Sequence, residues 1–244
     1  PWAASGYELT RLGFEALNPI TIGRTAGVAV IVGVLSLDKH CTSKNWRRFA
    51  LAVVVAGFFT MLLANSRGPI LALFVTYLFF LIVRPKLVFW SLAAGGAFFA
   101  VFGIGGDLIG NVMERLAIAG TAADGASVDR LYYMEAAWMK FLENPIIGYH
   151  FVDPKLGDGK YPHNLLIESG MAMGASGFVL FIVLLIRTLR IAVFLCRRQF
   201  PLLAALFVFY FVGTNVSGNL WGSQEFFVIM AMLLALDKKR LRAD

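Results

Sequence analysis

Arg67, Arg130, His163 and Glu168 are the side chains here whose types and placing could hold an anion or move a proton. Arg67 sits in Asn65-Ser66-Arg67-Gly68-Pro69, a turn motif between the apolar runs 49–64 and 70–83. A guanidinium at membrane depth costs several kcal/mol unless it is compensated, and residues carrying that cost usually meet an anion, an ion pair or a pathway. Its planar fork of donors also suits phosphate better than any other side chain. Pro162-His163-Asn164 precedes another apolar run, with the proline suited to a first helical turn. His163 at that position lies near the positive end of a helix dipole, which favours the neutral, proton-accepting ring. The same helix start offers backbone N–H groups to an anion. The competing reading is a solvated histidine at a polar helix start. Arg130 is either a second anion ligand or a surface arginine paired with Asp129 or Asp124. Glu168, one turn into the following run, is either a functional buried carboxylate or the partner of a nearby arginine.

These residues must be positioned by spans. A span needs about 20 predominantly apolar residues, and seven candidates follow, roughly 20–37, 49–64, 69–84, 87–105, 165–186, 200–216 and 219–236. Basic residues cluster between them: Lys39, Lys44, Arg47 and Arg48; Arg84 and Lys86; Arg187, Arg190, Arg197 and Arg198; Lys238, Lys239, Arg240 and Arg242. These clusters hold 14 of the 22 basic residues and fall on alternate connectors, so the positive-inside rule makes them cytoplasmic. The 65–69 turn, the loop 106–164 and the connector 214–225 then share the outer face. The expected organisation is four spans over 1–105, a periplasmic loop over 106–164, and three spans with a basic cytoplasmic tail over 165–244.

The long loop carries eight acidic against five basic residues, so its arginines are individual placements rather than a basic tether. Within it, 129–144 places Leu131, Met134, Trp138, Phe141 and Leu142 at helical spacing. Ser127 or Asp129 is suited to cap that helix and Pro145 to end it. Such a helix can lie on a bilayer surface and roof a cavity. Gly170, Gly174 and Gly177 recur on roughly one face of the next span and permit close packing.

Composition excludes the soluble classes. Of 244 residues, 59% are hydrophobic and 15% charged, with a mean hydropathy of +0.73, against about 25% charged in an ordinary soluble domain. The expectation is an all-α polytopic transmembrane bundle. A net charge of +7 spread as clusters beside spans reports topology, not a nucleic-acid partner. Cys41 and Cys196 fall in cytoplasmic segments, where disulfides are rare, and read as inert thiols. His150, Asp153, Asp158 and His163 fit no closed zinc spacing, so neither metal nor cofactor is expected. Gly174-Ala175-Ser176-Gly177 has the look of an intramembrane serine-protease motif, but no histidine follows to activate the serine. The absence of an initiator methionine suggests the C-terminal part of a longer protein.

Asn65-Ser66-Arg67-Gly68-Pro69 leading into a span, Arg130 with Trp138, Phe141, Pro145 and Gly148, and then His163-Asn164 and the glycine-rich helix through Gly177 resemble the O-antigen ligase and O-antigen polymerase superfamily. The ordered set covers about half of the chain. The resemblance implies a metal-independent integral-membrane glycosyltransferase of the bacterial inner membrane, working at its periplasmic face. Its donor would be an undecaprenyl-pyrophosphate-linked glycan and its acceptor lipid A–core or another glycan. By the same resemblance Arg67 and Arg130 would steady the leaving pyrophosphate, and His163 would be the base. Ser66, Asn164 and Glu168 would line the substrate site. The family has around a dozen spans, of which the last seven correspond to this chain. Gly148-Tyr149-His150 stands where a second glycine is common. A polymerase of the same superfamily is the alternative within the class. A lipid-linked glycan transporter is the alternative outside it, and would demand broken or polar mid-span segments.

Overall fold

The computed structural model describes residues 18–38, 43–64, 66–83, 125–149, 161–198 and 201–240. Among the described residues the structure is all-helical, with no strands and seven helices. They are α1 (Pro19–Asp38), α2 (Lys44–Ala64), α3 (Arg67–Val83), α4 (Gly125–Glu143), α5 (Leu165–Arg198), α6 (Pro201–Ser217) and α7 (Gln224–Arg240). Three of them are long and apolar enough to cross a membrane, over Pro19–Leu37, Lys44–Ala64 and Leu165–Arg197; α3 and α6 are shorter apolar helices. The candidate span 87–105 lies outside the described residues. The chain divides into two compact units, Pro1–Ala117 and Ile118–Asp244.

In the first unit, helix starts follow their caps. Asn18 Oδ1 accepts the Ile20 N–H at 2.9 Å, with Pro19 as first helical residue, where its missing N–H costs nothing. Ser43 Oγ accepts the Trp46 N–H at 3.2 Å. That cap starts α2 five residues earlier than the apolar run alone suggests, and it makes Lys44, Arg47 and Arg48 an exposed helical turn. α1 and α2 run antiparallel through small residues. A Cβ on Gly33 would stand 2.7 Å from Val54 Cγ2, and one on Gly57 would stand 2.8 Å from Val30 Cγ2. Without a hydrophobic force between lipid-exposed helices, such close backbone approach supplies the packing. Near the start of α1, Gly23 lies against Pro69 and Ser66 of the α3 start.

In the second unit, α5 and α6 are antiparallel and α7 runs alongside α5. Phe207, Phe211 and Phe226 stack between α6 and α7, and Phe181 of α5 meets Phe227 at 6.3 Å between ring centres. At the far end Arg187 donates to Asp237 at 2.8 Å. Arg187, Arg190 and Arg197 therefore lie within α5, which continues twelve residues past the expected span end at 186. The connector expected there is reduced to the short step between α5 and α6. Residues 218–223 form a turn before α7, within the expected connector 214–225, so the last helix starts at Gln224 rather than at 219. Cys196 is buried and forms no disulfide among the described residues, and Cys41 is outside the described residues.

α5 is interrupted at Gly174, whose φ of 64° and ψ of −168° are not helical. The segment 145–149, which follows α4, fills the break. Pro145 O accepts the Ala175 N–H at 2.7 Å, Met171 O accepts the Tyr149 N–H at 2.7 Å, and Ser176 Oγ donates to Ile146 O at 3.3 Å. Gly148, at φ 88°, faces Gly174 so closely that a Cβ on either would lie 2.6 Å from the other's backbone nitrogen. Non-helical backbone inside a membrane protein persists only where such groups are satisfied internally. The glycine spacing expected to serve helix packing thus serves, at Gly174, a backbone notch. Ser176 takes part as a hydrogen-bond donor to that notch.

Candidate functional site

The His163 neighbourhood is built by the start of α5. Asn164 Oδ1 accepts the N–H groups of Leu166 and Ile167, both at 3.1 Å, and Asn164 O accepts the Glu168 N–H at 3.0 Å. Asn164 is therefore the N-cap, and Pro162 lies two residues before it rather than in the first turn. These bonds also occupy the amides of Leu166, Ile167 and Glu168, which the sequence reading had offered to an anion. His163, just outside the helix, has a φ of 55°, a left-handed conformation that is uncommon for residues other than glycine. Its half-buried ring lies 4.2 Å from the Tyr161 ring, centre to centre, and its Nδ1 atom is buried. Backbone strain of this kind, of order 1–3 kcal/mol, persists where surrounding structure over-determines it and clusters at functional sites.

Two further contacts tie this start to the end of α6. Asn215 Oδ1 accepts the Leu166 N–H at 3.4 Å, while Asn164 Nδ2 donates to Asn215 O at 3.5 Å. Glu168 is 2% exposed, and its Oε2 accepts the Leu220 N–H at 2.8 Å. Burying a carboxylate is costly unless it is hydrogen-bonded, so this bond explains how Glu168 is tolerated inside the helix packing. The turn it holds is itself closed by Asn219, whose Oδ1 accepts the Gly222 N–H and whose carbonyl accepts the Ser223 hydroxyl, both at 2.5 Å. Trp221, at the tip, is 87% exposed. Sequence reasoning placed a connector over 214–225 but missed Asn215 and the bond from this turn to Glu168. Asparagine at the end of an apolar run was the available signal, but a partner 51 residues away is invisible to local pattern.

Arg130 is half-buried on α4, on the inward face shared with Ala137 and Phe141. Phe141 packs over Gly170 of α5, 3.6 Å from where a Cβ would be, and Arg130 lies roughly three helical turns before it. α4 begins at Gly125, so Ser127 and Asp129 lie inside it rather than capping it, and it ends at Glu143, just ahead of Pro145 as expected. Arg67 is the first residue of α3 and half-buried, with Ser66 buried before it. The contact of Gly23 with Pro69 places Arg67 level with the first turns of α1. Arg67 therefore stands at the end of the helices of its unit, not midway along them. Arg24, which follows Gly23 and is half-buried, brings a second guanidinium to that same end. Its position as a charge inside the first apolar run was readable from sequence and was passed over.

The described contacts thus unite His163, Asn164 and Glu168 with Asn215 and Leu220 in the second unit. Arg130 joins that unit on α4, and Ser66 and Arg67 belong to the first. His150, Asp153 and Asp158 lie outside the described residues.

The roles of Glu168 separate by substitution. Glu168→Gln keeps an acceptor for the Leu220 amide and is expected to retain most of the protein's activity and its thermal stability in detergent. Glu168→Ala leaves that amide unsatisfied, which costs about 1–3 kcal/mol, and is expected to lower both. Equal loss in the two variants would show that the carboxylate charge itself is used.

Among curated proteins and among solved structures nothing matches the chain. The family model described as O-antigen ligase matches residues 51–182, more than half of the sequence and the whole stretch from Arg67 to Glu168. This chain belongs to the O-antigen ligase family of helical membrane proteins.

Proposed function

We propose that the protein is a glycosyltransferase that moves a glycan from an undecaprenyl-pyrophosphate donor to lipid A–core. The reaction takes place at the periplasmic face of the bacterial inner membrane, with the C-terminus in the cytoplasm. The observation that carries this reading is His163, held outside the helix ladder beside a capped α5 start, within the family-matched stretch that also contains Arg67 and Arg130. In the proposed step an acceptor hydroxyl oxygen attacks the anomeric carbon of the donor. His163 takes the hydroxyl proton, the anomeric carbon–oxygen bond to pyrophosphate breaks, and the bond's electrons leave with the pyrophosphate. Arg67 and Arg130 stabilise the negative charge on that leaving group, a term that is often the largest in catalysis. Ser66 stands beside Arg67 on the donor side. Asn164 and Glu168 shape the rim through the bonds that fix the α5 start next to His163 and the 218–223 turn.

The broken span at Gly174 is a feature a glycan transporter would share. Its backbone groups, however, are closed by the 145–149 segment rather than turned toward a cavity, which favours the transferase. The deciding experiment incubates the full-length protein with donor, with or without lipid A–core, and with or without chelator. Glycan on lipid A–core in the presence of chelator is the expected result. Lengthened donor would instead identify a polymerase, loss with chelator would overturn metal independence, and movement of donor across vesicles without bond formation would identify a transporter.

A further inference from the structure

α4 packs on α5 through Ala137, Phe141 and neighbouring residues, yet its other face is exposed and, apart from Glu135, apolar. Leu131, Tyr132, Trp138, Met139 and Leu142 line that face, and Ile146 and Ile147 extend it, 75% and 83% exposed. Two adjacent isoleucines left this open need an apolar partner.

The level of this surface is set by the notch in α5. The apolar stretch Leu165–Arg197 is 33 residues long, well beyond the about 20 that a bilayer requires, so part of it stands outside the hydrocarbon. Val179, Leu180, Val183 and Ile186 are exposed on α5 and form the side of the span that meets lipid. The residues that grip 145–149, namely Met171, Ala175 and Ser176, lie just before this run. Gly174 is about 7 Å nearer the helix start than Val179. Ile146 and Ile147 thus continue the lipid-facing surface of α5 at its margin. The polar groups of α4 fit the same level. Lys140, at the edge of the exposed face, pairs with Glu143 at 2.6 Å while its ammonium lies 4.9 Å from the Tyr149 ring centre. An apolar face with aromatic residues and a charged rim, seated about 5–10 Å into the headgroup–acyl boundary, is the pattern of an interfacial helix.

We propose that the exposed face of α4, with Ile146 and Ile147, is seated in the bilayer leaflet that α5 enters at its N-terminal end. The seat holds α4, and Arg130 on its opposite side, at the level of lipid headgroups. The proposal rests on the membrane span and the notch, and is independent of the chemistry assigned to His163.

The test uses the full-length protein in phospholipid nanodiscs, with Cys41→Ser and Cys196→Ala as background. Single nitroxide labels are placed at Ile147→Cys and Trp138→Cys, with Val183→Cys as the hydrocarbon reference. Collisions with oxygen are expected to exceed those with a water-soluble nickel chelate at both test sites, with a smaller excess than at position 183. Free collision with the chelate at both sites would overturn the proposal by placing the face in water. Immobilised labels protected from both reagents would overturn it by showing that protein covers the face, whether another part of the chain or a second copy.

Discussion

Asparagine at position 163 is expected to abolish measurable glycan transfer while leaving the protein folded. The native φ of 55° makes this the informative substitution. Asparagine is several-fold enriched in the left-handed region, whereas alanine adds a backbone penalty to the loss of the ring. A general base contributes about 10²–10⁴-fold, so the drop should appear in turnover and not in yield or melting temperature. Arg67→Ala and Arg130→Ala are expected to cost about 10²–10³-fold each, the scale of removing one preorganised donor to a developing charge. Arg→Lys at either position should restore little, because a single ammonium cannot reproduce the bidentate fork. Normal glycan display in cells carrying any of these variants, at wild-type protein levels, would remove that residue from the mechanism. Full activity in the His163 variant would remove the proton-transfer assignment altogether.

The largest effect on stability is expected at the notch. Gly174→Ala and Gly148→Ala each place a Cβ against backbone of the facing segment, and each requires a positive φ of a residue with a side chain. A positive φ of this kind costs a residue with a side chain about 1–3 kcal/mol, and overpacking against atoms that cannot rotate away adds about 1–3 kcal/mol. Each variant should therefore lose several degrees or more of thermal stability. It should also accelerate hydrogen exchange at Tyr149 and Ala175, whose N–H groups close the notch. The double variant should cost less than the sum, since both changes break one interface and neighbouring sites are not additive. Additive losses, or unchanged exchange at those two amides, would show that the segment is not held as described.

Seen from these residues, the reach of the sequence has a physical boundary. Hydropathy and the placing of Arg67, Arg130 and His163 were enough for an all-helical membrane protein and for its family, because apolar runs and motif order are local, one-dimensional properties. The end of α4 before Pro145 was equally legible, since the proline acts on its own neighbours. Helix starts were less so. Ser43 caps a helix whose start the apolar run misplaces, and Asn164 rather than Pro162 opens the helix that begins at Leu165, as a cap depends on which side chain turns back onto the backbone. The length of α5 was hidden because arginines, taken as connector residues, are accommodated when a partner such as Asp237 stands alongside.

The long-range bonds, by contrast, follow from packing. Asn215 on the α5 start, Leu220 on Glu168, and the 145–149 segment in the Gly174 break each join groups far apart in the chain. A backbone N–H or a buried carboxylate must find some partner, and that requirement, like the spans and the charged residues to be accommodated, is written in the residue order. Which partner satisfies it depends on which helix ends packing brings together, and that is a property of the fold.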